Sequence, residues 1–196
     1  MSKIDLNAKE FDGNVIFNDG VAGIVENVTI QVGKKELTDG ENYPDYKLKF
    51  VAPNNASVDK GFYHLDENAE NFEKRLKGLG SELKHIWGNL IGPEAVIPEF
   101  DTHKEMLNVM FSKFREAIAA SPDDLYRVTV NYGNLMYPQQ YLRVQMFPPY
   151  FERMTVEETR LSLRKDARLT PFVPDNKEAT YDTVHTEKEA DGSAWK

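Results

Sequence analysis

The chain contains no cysteine, which excludes disulfide staples, thiolate nucleophiles and cysteine-ligated zinc, and fits a reducing compartment. It also lacks any apolar run approaching the ~18 residues that a membrane span needs. The opening MSKIDLNAKEFDG carries none of the apolar stretch of a secretory signal. The expectation is a soluble cytoplasmic protein without membrane contact. Signatures of catalysis are equally scarce. Neither a Gly-x-Ser-x-Gly elbow nor a Gly-x-x-x-x-Gly-Lys phosphate loop occurs. The four histidines, His64, His85, His103 and His185, are scattered and lack the His-x-x-x-His spacing of a zinc site. Asp123 and Asp124 fall where a helix gives way to a strand, and capping explains them. A metal nuclease needs several carboxylates converging from strands, and the expected strand interiors carry only Glu26. The expectation is a protein that is not an enzyme and uses no metal or cofactor.

Charge is unevenly spread. The whole chain has 24 bases against 32 acids, a net charge of −8, which at face value argues against a nucleic-acid partner. Residues 1–125 hold 22 acids and 14 bases, residues 126–169 hold 4 acids and 7 bases, and residues 170–196 hold 6 acids and 3 bases. A basic segment therefore precedes an acidic tail, and that pattern is more informative than the sum.

The most regular pattern lies in residues 125–151, LYRVTVNYGNLMYPQQYLRVQMFPPYF. Tyr126, Val128, Val130 and Tyr132 alternate with Arg127, Thr129 and Asn131, and Leu142, Val144 and Met146 alternate with Tyr141, Arg143, Gln145 and Phe147. Period-two alternation rich in β-branched and aromatic residues predicts half-buried strands. Gly133-Asn134 and Tyr137-Pro138 predict the turn of a hairpin between them. Upstream, residues 21–32, 45–51 and 60–65 read as three further strands. In the first, Ile24, Val28, Ile30 and Val32 share a face interrupted by Glu26, and Gly23 suggests a bulge or bend. Between residues 65 and 125 the period changes. Phe72, Leu76, Leu79, Leu83, Ile86 and Leu90 predict one helix, with Asp66 or Asn68 as its N-cap. A second helix follows the capping box Thr102–Glu105. Residues 1–20 read as a polar arm, residues 153–170 as a basic arm or short helix, and residues 171–196 as a disordered acidic tail.

Three strands, a helical insertion and two strands is the order of an OB-fold, a five-stranded Greek-key barrel. The expected fold is α+β, mainly β, with an OB-like barrel over residues 21–152 and two helices between strands three and four. A mixed sheet with its helices on one face shares the same string. The segments DYKLKFVAPN, KGFYHLD, VTVNYGN and YLRVQMFPPYFE together resemble the single-stranded-DNA-binding proteins of tailed bacteriophages. That resemblance implies an OB-fold coating transient single strands in phage DNA replication, recombination and repair, in the host cytoplasm. It also implies partner enzymes recruited through the acidic tail. The ending Ser193-Ala194-Trp195-Lys196 departs from the acidic-then-apolar tip of bacterial relatives.

Binding single strands without sequence preference requires cations for phosphates and aromatic faces for bases. The candidates are Lys34 and Lys35 in the first loop, Lys47 and Lys49 on the second strand, Tyr63 on the third, Arg127 on the fourth, Tyr137 in the hairpin loop, and Tyr141, Arg143 and Phe147 on the fifth. Arg153, Arg160, Arg164, Lys165 and Arg168 either extend the phosphate track or form an ordinary exposed face. The rival expectation is a virion structural or assembly protein that uses the same face for subunit contacts. A homo-oligomer is left open.

Overall fold

The computed structural model describes residues 16–35 and 43–173. The expected polar arm before residue 16, much of the first loop and the acidic tail beyond residue 173 lie outside the described residues. Phe17 is nevertheless buried within a 3-10 turn, Phe17–Gly20, and Tyr132 Oη donates to the Gly20 carbonyl at 2.7 Å. The end of the arm thus belongs to the packed structure.

Six antiparallel strands form one sheet that does not close: β1 (Gly23–Lys34), β2 (Tyr46–Val51), β3 (Ser57–Phe62), β4 (Tyr126–Gly133), β5 (Pro138–Val144) and β6 (Phe151–Arg153). Their order is β3-β2-β1-β4-β5, with β6 paired to β4. An α+β, mainly β class is therefore correct. The expectation of five strands is corrected to six, because Phe151, Glu152 and Arg153 pair with Val128, Arg127 and Tyr126.

Local chemistry accounts for most of these elements. In β2, Tyr46, Leu48 and Phe50 are buried while Lys47 and Lys49 are half-exposed, as alternation requires. In β1 the bend falls at Asn27 (φ 59°), and the register against β4 slips between Val25 and Val28. This bulge turns both Val25 and Val28 inward, leaving Ile24 exposed. Gly23 was therefore the wrong place to expect it. The third strand begins three residues earlier than its alternation suggested, at Ser57, and ends at Phe62.

Helices α1 (Phe72–Leu90) and α2 (His103–Ala120) separate β3 from β4. Asn71 is the residue at the α1 N-cap, instead of Asp66 or Asn68, and its side chain makes no capping bond. Thr102 Oγ1 accepts from the Glu105 N–H at 3.1 Å, as the capping box predicts, while Glu105 Oε2 accepts from the Asp101 N–H. Leu83, Ile86, Trp87 and Leu90 of α1 join Leu107, Met110, Phe111 and Phe114 of α2 and the inward residues of β1 to β4 in one core. Arg153 donates to the Asn89 and Leu90 carbonyls, satisfying the end of α1.

Residues 154–173 form no helix. They run as a strap across the β4–β5 hairpin: the Arg164 N–H donates to Gln145 Oε1, Ala167 bridges to Asn134, the Arg168 N–H donates to the Gly133 carbonyl, and the Phe172 N–H donates to the Gln139 carbonyl. The short helix, one of the two expectations for this segment, does not form. Among the described residues no helix is long and apolar enough to cross a membrane.

Candidate nucleic-acid interface

The two ends of the sheet, β3 and β5, face each other across a seam that backbone pairing does not close. Cross-strand register settles what surrounds that seam. Gln31, Lys49 and Asp59 stand opposite one another on β1, β2 and β3, as do Gly33, Lys47 and Gly61. Asn131 stands opposite Arg143 on β4 and β5. Paired residues share a face of the sheet, so all of these look outward while Val130 and Val144 point into the core.

Over the seam lies a cleft of about 270 Å³. Its walls come from Asp59 and Gly61 on β3 and Tyr63 just after it, from Asn134 and Tyr137 in the hairpin loop, from Arg143 on β5, and from Arg164 and Asp166 on the strap. Tyr63 and Tyr137 are each about half exposed. Tyr141 points out from the same strand face as Arg143, two residues along, and is 75 % exposed. Phe147 sits beyond β5 with the Arg164 guanidinium 5.2 Å from its ring centroid. Three of the ten expected residues, Tyr63, Tyr137 and Arg143, therefore line one cleft, and Phe147 packs on the Arg164 of its wall.

Lys49 lies on the adjoining face of β2, and among the described residues it forms no ion pair. Lys47 is already engaged. It pairs with Asp59 at 3.1 Å and lies 4.9 Å over the Tyr43 ring, and the Tyr43 hydroxyl, followed by Asp59, raises its pKa against an opposing desolvation effect. Lys34 shares the face of Tyr46, 5.7 Å over its ring, on the side that α2 covers. The Lys35 N–H donates to the Asp45 carbonyl, which holds the chain entry to the first loop. Arg127 shares the outward face of Asn131 but lies four residues away along β4, and its guanidinium is taken by Glu26 (2.8 Å), Glu152 (3.4 Å) and the Val156 carbonyl (2.9 Å). Neither Lys34 nor Arg127 is brought to the cleft.

The sequence pattern missed several contributors. Gln145 was expected on the outer face with Arg143, yet it is 3 % exposed, because β5 ends at Val144 and the chain turns. Its amide donates to the Pro149 carbonyl and its oxygen receives the strap, so it fixes one wall of the cleft. The double proline at 148–149 was the available signal that the strand stops. Asp59 and Asn131 carried no signal of their own, while Arg164, from the basic segment for which two readings were open, reaches the cleft wall. Gly133 explains how the loop reaches the cleft: its φ is +75°, and a Cβ there would lie 2.0 Å from the Tyr137 carbonyl oxygen.

Beneath the opening, Lys60 turns inward with Val58 and Phe62. Its Nζ donates to the Met146 carbonyl at 2.6 Å, pairs with Glu82 at 3.3 Å and lies 4.8 Å from the Tyr150 ring centroid. Burial pulls the Lys60 pKa down and pushes that of Glu82 up, each opposed by attraction to the other. Among the described residues no group of three or more histidine, aspartate or glutamate side chains is placed to hold a metal ion. Comparison with protein-family models, with curated proteins and with solved structures found no match.

Proposed function

We propose that this protein coats single-stranded DNA with little overall sequence preference, using the outward face around the β3–β5 seam. The observation that carries this reading is that Tyr63, Tyr137 and Arg143, drawn from three separate segments, line one cleft, with Phe147 against the Arg164 of its wall and Tyr141 exposed two residues along β5. Each base stacked on an aromatic ring contributes about 1–3 kcal/mol. We further read the sheet as an OB-type barrel left open at one seam. Its β1 pairs with both β2 and β4, and the cleft lies between β3 and the β4–β5 loop, where that fold takes oligonucleotides. The phage family resemblance supports the same assignment, with a role in replication, recombination or repair and with the acidic tail as a recruiter of partner enzymes.

The test is an anisotropy and intrinsic-fluorescence titration with labelled oligo-dT of about 30 nucleotides, long enough for one or more sites of ~4–16 nucleotides. Binding that quenches tyrosine and tryptophan emission and weakens with salt is expected. Absence of binding at low salt overturns the proposal. Leu135 and Met136, more than three-quarters exposed at the hairpin tip, favour a second reading, a virion assembly protein whose subunits meet through this loop. Discrete large assemblies in sedimentation without nucleic acid distinguish it.

A further inference from the structure

Two asparagines at the cleft have their acceptors committed and their donors free. Asn131 Oδ1 accepts from the Gly133 N–H at 3.0 Å. Asn134 Oδ1 accepts from the Met136 and Tyr137 N–H groups at 3.0 and 2.7 Å. Neither Nδ2 has a hydrogen-bond partner among the described residues, and neither belongs to the polar atoms sealed from solvent without one. Asn131 is only 5 % exposed and lines the cleft, so its amide donor opens there. The donor is open to the cleft, where a ligand acceptor can take the place of water.

A cleft of about 270 Å³ is small beside pockets that enclose drug-sized ligands. It has room for one base, and Tyr63 and Tyr137 both line it. The usual asparagine fork on adenine needs the side-chain oxygen to accept from the adenine amino group. Here that oxygen is occupied in both asparagines. Of the four DNA bases only adenine lacks a ring carbonyl, whose oxygen has two lone pairs and can accept from both amides, whereas each acceptor nitrogen of the adenine ring has one and can accept from a single donor. We infer that the cleft is a base-selective subsite, in which Asn131 and Asn134 donate to a carbonyl of one inserted thymine, guanine or cytosine and thereby disfavour adenine. The inference rests on the single-strand reading and deepens it: most of the bound tract is sequence-tolerant, and one nucleotide per protomer is read.

The experiment uses the full chain and an abasic oligonucleotide of about 12 nucleotides carrying one base at its centre, within the usual site size. Thymine, guanine or cytosine is expected to bind about fivefold or more tightly than adenine, the worth of roughly one hydrogen bond. Asn131→Asp keeps the oxygen that holds Gly133 and replaces the donor by an acceptor. Its thymine-to-adenine ratio is expected to fall to about one or below, and reading the ratio cancels the general effect of the added charge. Asn134→Asp gives the same comparison outside the buried strand, should the first variant fold poorly. Equal affinities for all four bases in the wild-type protein overturn the subsite while leaving single-strand binding intact. So do variants that retain the wild-type ratio. Failure of oligo-dT to bind removes the single-strand reading itself.

Discussion

Replacing Lys60 with methionine tests whether a buried cation holds the open seam. Its side chain is 13 % exposed, and its ammonium ties β3 to the Met146 carbonyl beyond β5 and to Glu82 on α1. Removing it leaves Glu82, 18 % exposed, without its partner and the carbonyl without its donor. Breaking a buried pair from one side costs about 3–5 kcal/mol. Glu82 has an outlet, because its carboxyl already holds a proton more readily than usual. A loss of about 3 kcal/mol at pH 7 is therefore expected. The double replacement Lys60→Met with Glu82→Gln should cost less than the two singles combined, with a coupling of about 1–3 kcal/mol. The pH dependence has a definite sign. Without Lys60 the folded-state pKa of Glu82 rises further above its ordinary value, so the folded form binds that proton more tightly than the unfolded form. Stability from such a group is present at low pH and lost as pH rises through the folded pKa. Loss of Lys60 also lifts a repulsion that holds the His85 pKa down, which acts in the same direction. Relative to the wild type, the variant should recover on going from pH 7 to pH 5. Urea unfolding at both values measures this. A loss below about 1 kcal/mol, or the same penalty at both pH values, refutes the argument.

Tyr141→Ala together with Arg143→Ala removes two outward side chains of β5 and should weaken oligo-dT binding about tenfold or more without changing the urea midpoint; retained affinity removes β5 from the interface. Gly133→Ala places a Cβ against the Tyr137 carbonyl at positive φ, and should cost about 2–3 kcal/mol in urea unfolding while also weakening binding through Tyr137. His85 is held at a pKa of about 4, chiefly by burial and then by Lys60, so its own contribution to wild-type stability should fall by roughly 3 kcal/mol as pH drops from 6.5 to 4. His85→Gln keeps an acceptor for the Tyr150 N–H and should flatten that slope, which urea titrations at stepped pH will show. The outward face presents Lys47, Lys49, Arg143 and Arg164 against Asp59 and Asp166. Two to four neutralised phosphates imply a slope of log K against log salt of about −1.5 to −3, and a much steeper slope places cations of another surface in the contact.

Strand and helix identity was legible wherever one face is apolar. Leu48 and Phe50 alternate cleanly with Lys47 and Lys49, and the helical face of Leu83, Ile86 and Leu90 needed no outside information. Thr102 announced its helix through a bond three residues long. What escaped was decided by partners distant in sequence. The reach of Arg127 to Glu26 spans 101 residues, and nothing in YRVTVNY says that its charge is already matched. The Asn27 bulge exchanges which of two apolar sets faces inward, a choice that local alternation cannot make. Gln145 read as a surface residue because period two was carried one position past the end of β5. The strap bonds through backbone groups, which leave no mark on side-chain pattern. For the same reason the aromatic half of the candidate site was legible and its amide half was not. Exposed tyrosines announce themselves by type, whereas Asn131 and Asn134 acquire meaning only once their oxygens are known to be occupied.

A net charge of −8 and the polyanion-binding face proposed for this chain are most easily reconciled if attraction between whole charges is not the main source of affinity. The face itself is arranged that way. Asp59 and Asp166 sit inside the cleft and hold Lys47 and Arg164 at 3.1 and 3.0 Å, which orients those cations while halving their net effect. Arg164 further lies on Phe147, so its guanidinium is presented as a flat surface as well as a charge. The remaining capacity is in rings: Tyr63, Tyr137, Tyr141 and Phe147 are each close to half exposed or more, which is unusual for side chains of that size unless something covers them. Stacking at ~1–3 kcal/mol per base over even two or three rings exceeds what two net charges supply in salt. Affinity carried by rings tolerates any base but does require bases, so an abasic or polysulfate polymer of equal charge is a poor substitute for DNA on such a face. On the proposed single-strand reading the acids in the cleft thus do not count against nucleic-acid binding; they would bias the face away from bare polyanions and toward strands whose bases are free to stack.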